Sequence, residues 1–219
     1  MHGDQLVIEA HHRRAAEAIF ELIIEDLRSD ESKKVVTIAG ESGSGKSETA
    51  EALADCLRQN KIDAVVFQQD DYYVHPPRTN DRTRREDIAW VGPNEVRLDL
   101  LDQHAEAFRR GDHVISKPLV DYAADSIGGE EMAVGQAQIA IAEGTYTTLL
   151  ENADWRVFIN RTAAETRAHR EKRQRHVSEL DEFTERVLAI EHEEISGHKK
   201  RADIIIESDY SVHRAENNA

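Results

Sequence analysis

Apolar strand-like runs alternating with amphipathic helical stretches, a glycine-rich turn between the first run and its helix, and acidic residues closing later runs predict an α/β fold. The expected architecture has three layers, with helices on both faces of a mainly parallel five-stranded sheet. Ala15, Ile19, Leu22, Ile23 and Leu27 recur at helical spacing among Glu and Arg, which predicts a helix over Glu9–Arg28. Residues 1–32 are assigned to that helix and 33–219 to the main domain, in one globular unit. Whether the helix covers a sheet edge or forms a partner surface is left open by its pattern.

Val35–Ala39 is a β-branched, nearly continuous apolar run of the kind a buried parallel strand needs. Ala50, Leu53, Ala54 and Leu57 then mark a helix ending near Asn60, and Asp63–Gln68 a second strand. From Gln69 to Pro93 the chain is rich in Asp, Arg, Tyr and Pro without sustained periodicity, which predicts a long loop, functional or mobile. Leu98, Leu101, Ala105 and Phe108 predict a helix closed by Gly111, followed by a strand over His113–Leu119 and a turn at Gly128-Gly129. Further strands are expected at Gln138–Ala142, at Trp155–Ile159 and, after two helical stretches, at Ala202–Ile206.

The 219 residues hold 28 Lys+Arg against 43 Asp+Glu, a net charge of −15. So large an acidic excess repels a polyphosphate backbone and argues against nucleic acid as a partner. The lone Cys56 allows no intrachain disulfide and reads as a small buried hydrophobe in the second helix. With no leader-like segment and no apolar run near the ~20 residues that span a bilayer, the expected setting is the cytoplasm, without membrane insertion. His192 and His198 lack the i, i+4 spacing of a zinc helix, and His11 and His12 are expected to face solvent.

Gly40-Glu41-Ser42-Gly43-Ser44-Gly45-Lys46-Ser47 fits G-x-x-x-x-G-K-[ST] between a strand and a helix, the context that phosphate-binding P-loops require. Glycines at 40, 43 and 45 let successive backbone N–H groups turn inward toward phosphate oxygens, where the helix that follows also presents its positive end. Ser42, Ser44 and Thr49 complete the expected nucleotide-binding set. Lys46 should reach the β- and γ-phosphates, and the Ser47 hydroxyl a magnesium ion bridging them. Such a loop binds a nucleoside triphosphate without specifying a reaction.

Phosphoryl transfer needs a carboxylate to orient an acceptor hydroxyl and cations to spread charge. Asp70, Asp71, Tyr72 and Tyr73 follow the second strand at its carboxyl end, where open α/β sheets bind ligands, and Asp70 is the candidate base. Glu143 closes another apolar run and is the candidate magnesium ligand beside Ser47. Arg161, Arg167, Arg170, Lys172, Arg173 and Arg175 concentrate positive charge in an acidic chain; Arg167, Arg170 and Arg173 recur every three residues, as an arginine-rich helical lid over polyphosphate would. Trp90 adjoins the acceptor loop as a candidate substrate contact.

In order from Lys33 to Glu207, these residues resemble the uridine kinase and phosphoribulokinase family of P-loop kinases. Gln69-Asp70-Asp71-Tyr72-Tyr73 is similar to the family's Gln-Asp-Ser-Phe-Tyr segment, whose first Asp is the catalytic base. Ala142-Glu143-Gly144-Thr145-Tyr146 resembles its Glu-Gly turn, Thr166-Arg167 and Arg170 its lid arginines, and Lys199-Lys200-Arg201-Ala202-Asp203 its Lys-Lys-Tyr-Ala-Asp ending. The resemblance implies an ATP- and Mg2+-dependent kinase of a small hydroxylated molecule, with Asp70, Lys46, Arg167 and Arg170 catalytic, Arg173 on the nucleotide, and a homo-oligomeric state. It places Asp70, Asp71, Tyr73, Asp121 and Tyr122 at the acceptor. Val91-Gly92-Pro93 stands where uridine kinases carry Asp-His-Pro, and Val120-Asp121-Tyr122 with Asp125 where they carry Tyr-Asp-Phe and His. The acceptor therefore stays open among a nucleoside, a sugar or sugar acid and a pantothenate-like alcohol. A nucleotide-binding regulatory or scaffold protein is the alternative.

Overall fold

The computed structural model describes residues 6–162, 165–166 and 182–216. Its strands are β1 (Lys34–Gly40), β2 (Ala64–Gln68), β3 (Val114–Asp121), β4 (Ser126–Ala133), β5 (Ile139–Glu143), β6 (Trp155–Ile159), β7 (Ile204–Ile206) and β8 (Val212–Arg214). The described α-helices of a turn or more are α1 (Ala10–Ser29), α2 (Lys46–Gln59), α3 (Pro77–Glu86), α4 (Leu98–Arg110) and α5 (Glu182–Ser196). The main sheet runs β2-β5-β1-β6-β7-β8. Its first five strands are parallel, and β8 adds antiparallel to β7.

Alternation along β1 sorts its side chains between two cores. Val36 and Ile38 pack with Leu53 and Leu57 of α2 on one face, whereas Val35 packs with Leu101 and Phe108 of α4 on the other. These are the three expected layers. Ala15, Ile19 and Ile23 of α1 are fully buried in the first core, so the N-terminal helix is an outer member of that layer, against α2. Cys56 is buried on α2, as its pattern predicts.

Four expectations are corrected. The sheet has six strands rather than five, because three-residue β8 is too short to show a pattern. The run after α4 does not enter it: β3 pairs with β4 as a separate antiparallel hairpin, in which Gly128 and Gly129 sit opposite Leu119 and Pro118 instead of forming the turn. The chain reverses at Tyr122–Asp125, where Asp125 takes a φ of +53°. The supposed structureless loop holds α3, opened by Pro77 at its first turn and lacking apolar periodicity because it is polar nearly throughout. His12, expected in solvent, is fully buried; its Nδ1 accepts the Glu9 backbone N–H at 3.1 Å and caps α1.

Candidate active site

The crossovers on either side of β1 open a crevice at the carboxyl ends of the parallel strands, the place where such sheets bind ligands. A cleft of about 310 Å³ lies there. The turn from β1 into α2 forms its floor, with Gly43 and Gly45 at φ of +76° and +97°, a region that side chains disfavour. Ser42, Gly43, Lys46 and Ser47 line the cleft. Gly40, Ser44, Gly45 and Thr49 lie behind them: a Cβ on Gly40 would come 2.8 Å from Ser44 Oγ, and Ser44 and Thr49 are fully buried. Lys46 Nζ folds back to donate to the Glu41 carbonyl at 2.9 Å.

Parallel register brings the acids to this floor. Glu143 ends β5 level with Ile38 of β1 and Gln68 of β2, and Ser47 Oγ donates to its Oε1 at 3.0 Å. Burial and the neighbouring Asp70 push the Glu143 carboxyl up to about 7, against the pull of Lys46 and Ser47. Asp70 leaves β2 in a short 3-10 turn, Gln69–Tyr72, and faces the cleft. Its pKa is also raised, by burial foremost and by Asp71, with Lys46 opposing. Gly144 permits this closeness, since a Cβ there would lie 2.2 Å from Gln69 Cβ; Gln69 Oε1 in turn accepts the Tyr146 N–H at 2.7 Å.

Of the six expected acceptor residues, Asp70, Tyr73 and Tyr122 line the cleft and three others do not. Burial raises the Tyr73 phenol well above its ordinary value, keeping it a neutral hydroxyl. Asp71 is fully buried, its carboxylate 2.8 Å from Lys117 Nζ and 3.1 Å from the Val120 N–H, fastening the hairpin to β2's end. Asp121 accepts the Ala124 N–H and caps the hairpin turn. Trp90 acts from behind, donating from Nε1 to Asn80 Oδ1 at 2.9 Å and packing on His75, and both partners line the cleft. Arg167, Arg170 and Arg173 lie outside the described residues. Thr166, just before them, donates to the Ser42 carbonyl at 3.1 Å.

Breaking the Asp71–Lys117 pair separates the two adjacent aspartates by their readouts. Asp71→Asn should lower unfolding stability by about 1–3 kcal/mol, because it takes the charge out of a buried hydrogen-bonded pair while Lys117 keeps Glu130 at 2.7 Å. Denaturant melts check this, and an unchanged midpoint contradicts the structural assignment.

The acceptor side also contains residues that the sequence pattern did not single out. Arg84 of α3 reaches the buried carboxylate of Glu95 and comes 3.5 Å from Glu191 of α5. Asn80 Nδ2 donates to Glu95 at 2.6 Å. The pairs span 11 and 107 residues in sequence, which no local motif reveals.

The family model described as PRK: Phosphoribulokinase / Uridine kinase family matches residues 35–212. The bifunctional alpha-galactosidase/sucrose kinase AgaSK of Mediterraneibacter gnavus is 27% identical over 195 residues, 84% of this chain. The chain spans about a fifth of that relative's length, 21%. A uridine kinase of Bacillus mycoides (strain KBAB4) is 29% identical over 187 residues, covering 78% of this chain and 84% of the relative. Among solved structures, the phosphoribulokinase from Rhodobacter spheroides superposes with a TM-score of 0.60 at 13% identity, over 81% of this chain and 71% of that one. The D-glycerate 3-kinase from Cryptococcus neoformans does so with 0.62 at 12%, over 94% and 100%. At these identities the structural likeness speaks for the fold.

Proposed function

Since the chain belongs to the phosphoribulokinase and uridine kinase family, we propose that it transfers the γ-phosphoryl group of ATP to a hydroxyl of a small metabolite. One observation carries this reading: Lys46, Ser47, Glu143 and Asp70, drawn from three different strand ends, line one cleft. Backbone amides of the Gly40–Ser47 turn would hold the triphosphate, and Lys46, released from the Glu41 carbonyl, would meet the β- and γ-oxygens. Asp70 accepts the proton of the acceptor hydroxyl as its oxygen attacks the γ-phosphorus; the bond from that phosphorus to the bridging oxygen breaks, and ADP leaves. Arg167, Arg170 and Arg173 complete the proposal as cations over the polyphosphate.

The donor set suits magnesium, a hard cation that takes oxygen ligands: a hydroxyl and a carboxylate stand 3.0 Å apart at the phosphate end of the cleft. Ser47 and Glu143 would hold it, directly or through water, and it would neutralise charge on the β- and γ-oxygens. Holding the ion requires Glu143 to give up its proton, so magnesium affinity should rise with pH through about 7. The acidic excess fits a partner that is a small molecule rather than nucleic acid. Among the described residues, no helix is long and apolar enough to cross a membrane.

The test is acceptor-dependent ADP release over a library of hydroxylated metabolites, with the phosphorylated product identified by mass. At least one acceptor should raise ADP release about 100-fold over the acceptor-free rate, the order that a positioned base and bound acceptor supply. Tight nucleotide binding with no acceptor turned over would favour the regulatory reading instead.

A further inference from the structure

We infer that the acceptor half of the cleft is built for a neutral polyhydroxylated molecule, a sugar, polyol or nucleoside, and excludes acceptors carrying a phosphate or carboxylate. The inference rests on the phosphoryl-transfer reading and narrows its substrate. Asp70, Asp81 and Glu191 line this half, and Glu143 lies at the floor. The permanent cations lining the cleft among the described residues are Lys46 and Arg84. Lys46 belongs to the phosphate loop.

Arg84 is already neutralised. Its Nε donates to Glu95 Oε2 and its Nη2 stands 3.5 Å from Glu191 Oε1. Glu95 is fully buried and is itself fixed, accepting Asn80 Nδ2 at 2.6 Å and the Gly92 N–H at 2.8 Å. A guanidinium that swung out to meet a ligand anion would leave the Glu95 carboxylate buried without its cation, a strongly unfavourable exchange. Four carboxylates, those of Asp70, Asp81, Glu143 and Glu191, thus share the cleft with two permanent cations among its described lining residues, and Asp81 is held by Arg85 outside it at 2.9 Å. An anionic acceptor would add its charge to that negative field in a poorly screened space.

A polyol meets the same surface as a complement. Carboxylates only accept hydrogen bonds, and hydroxyls supply the donors that they lack. Val120, Val187 and Leu188 give the carbon skeleton an apolar wall.

Neutral and anionic members of matched pairs test this: ribose with ribose 5-phosphate, glycerol with glycerate, uridine with uridine 5′-monophosphate, and pantothenol with pantothenate. Each is assayed with ATP and magnesium for ADP release, and by calorimetry with a non-hydrolysable ATP analogue. In the pair that is accepted, kcat/KM should favour the neutral member by about 100-fold, the order that an unfavourable like charge imposes. In Glu191→Gln, which keeps the side chain's shape, that preference should shrink about tenfold while KM for ATP holds. Asp81→Asn, at an exposed position, repeats the test should the buried variant unfold.

An anionic acceptor that equals or beats its neutral partner overturns the inference and leaves the kinase reading intact. Neutral ligands that bind without phosphoryl transfer do the reverse. A preference indifferent to the removal of either carboxylate, or no binding by either member of every pair, also overturns it.

Discussion

Asp70→Asn should lower kcat by about 10³-fold and leave ATP affinity unchanged or slightly higher. Asparagine keeps the size and one hydrogen-bonding oxygen of the side chain but cannot take the acceptor's proton. The deleted charge lies close enough to Lys46 for each to affect the other, so its removal does not weaken the hold on an anionic nucleotide. Stability should move in the opposite sense to Asp71→Asn. The Asp70 carboxyl has a raised pKa in the folded chain, so the folded state binds its proton more tightly than the unfolded one. Its contribution to stability therefore falls as pH rises from the ordinary carboxylate range through that raised value. Above that raised value the wild type has lost the contribution, and the asparagine variant should melt at the same temperature or higher. Below the raised pKa the wild-type base is protonated, so activity should climb with pH through a limb set above the usual carboxylate range. Steady-state kinetics at saturating acceptor, nucleotide calorimetry and thermal melts over a pH series decide the matter. A kcat within tenfold of wild type would remove Asp70 from the chemistry.

The contrast between these two aspartates shows which parts of the site the sequence made legible. The phosphate loop was readable because its eight residues are contiguous and a strand and a helix flank them. Asp70 and Glu143 were readable because each follows an apolar run, and parallel pairing then brings strand ends together. Asp71 could not be separated from Asp70 by any local rule. Its role is set by Lys117, 46 residues away on a hairpin that stands outside the main sheet.

The acceptor wall was hidden for a related reason. Helix α3 has a polar composition, so it carries no apolar stripe and reads as loop; it is held in part by ion pairs to Glu95 and Glu191. Trp90 was placed near the acceptor because of its neighbours, and the structure gives it the task of fixing Asn80 and His75. His12 looked like a surface residue beside His11. Burial came from a contact that lies 198 residues on: Tyr210 Oη stands 3.4 Å from His12 Nε2, and a Cβ on Gly45 would meet both side chains. The N-terminal helix thus touches the rear of the phosphate loop, although it lies before the residues that the family model matches.

Lys46→Ala should lower kcat/KM for ATP by about 10²- to 10³-fold, through loss of the charge that meets the transferring phosphoryl group. A second consequence follows from what Lys46 does without a nucleotide: its charge pulls down the pKa of Asp70, Glu143 and Glu191 together. Removing it should therefore raise all three acids further, and the ascending limb of the residual activity should move to higher pH. Lys46→Arg separates the two effects. It keeps a positive charge over the acids and should hold the limb near its wild-type position, yet its planar, bulkier group does not reproduce the ammonium's fit in the loop, so the rate stays low. Profiles of kcat/KM for wild type and both variants from pH 6 to 9 make the comparison. A limb that stays in place in Lys46→Ala would mean that the ammonium lies too far from Asp70 and Glu143 to act on them, and the shared cleft would no longer support a common reaction centre.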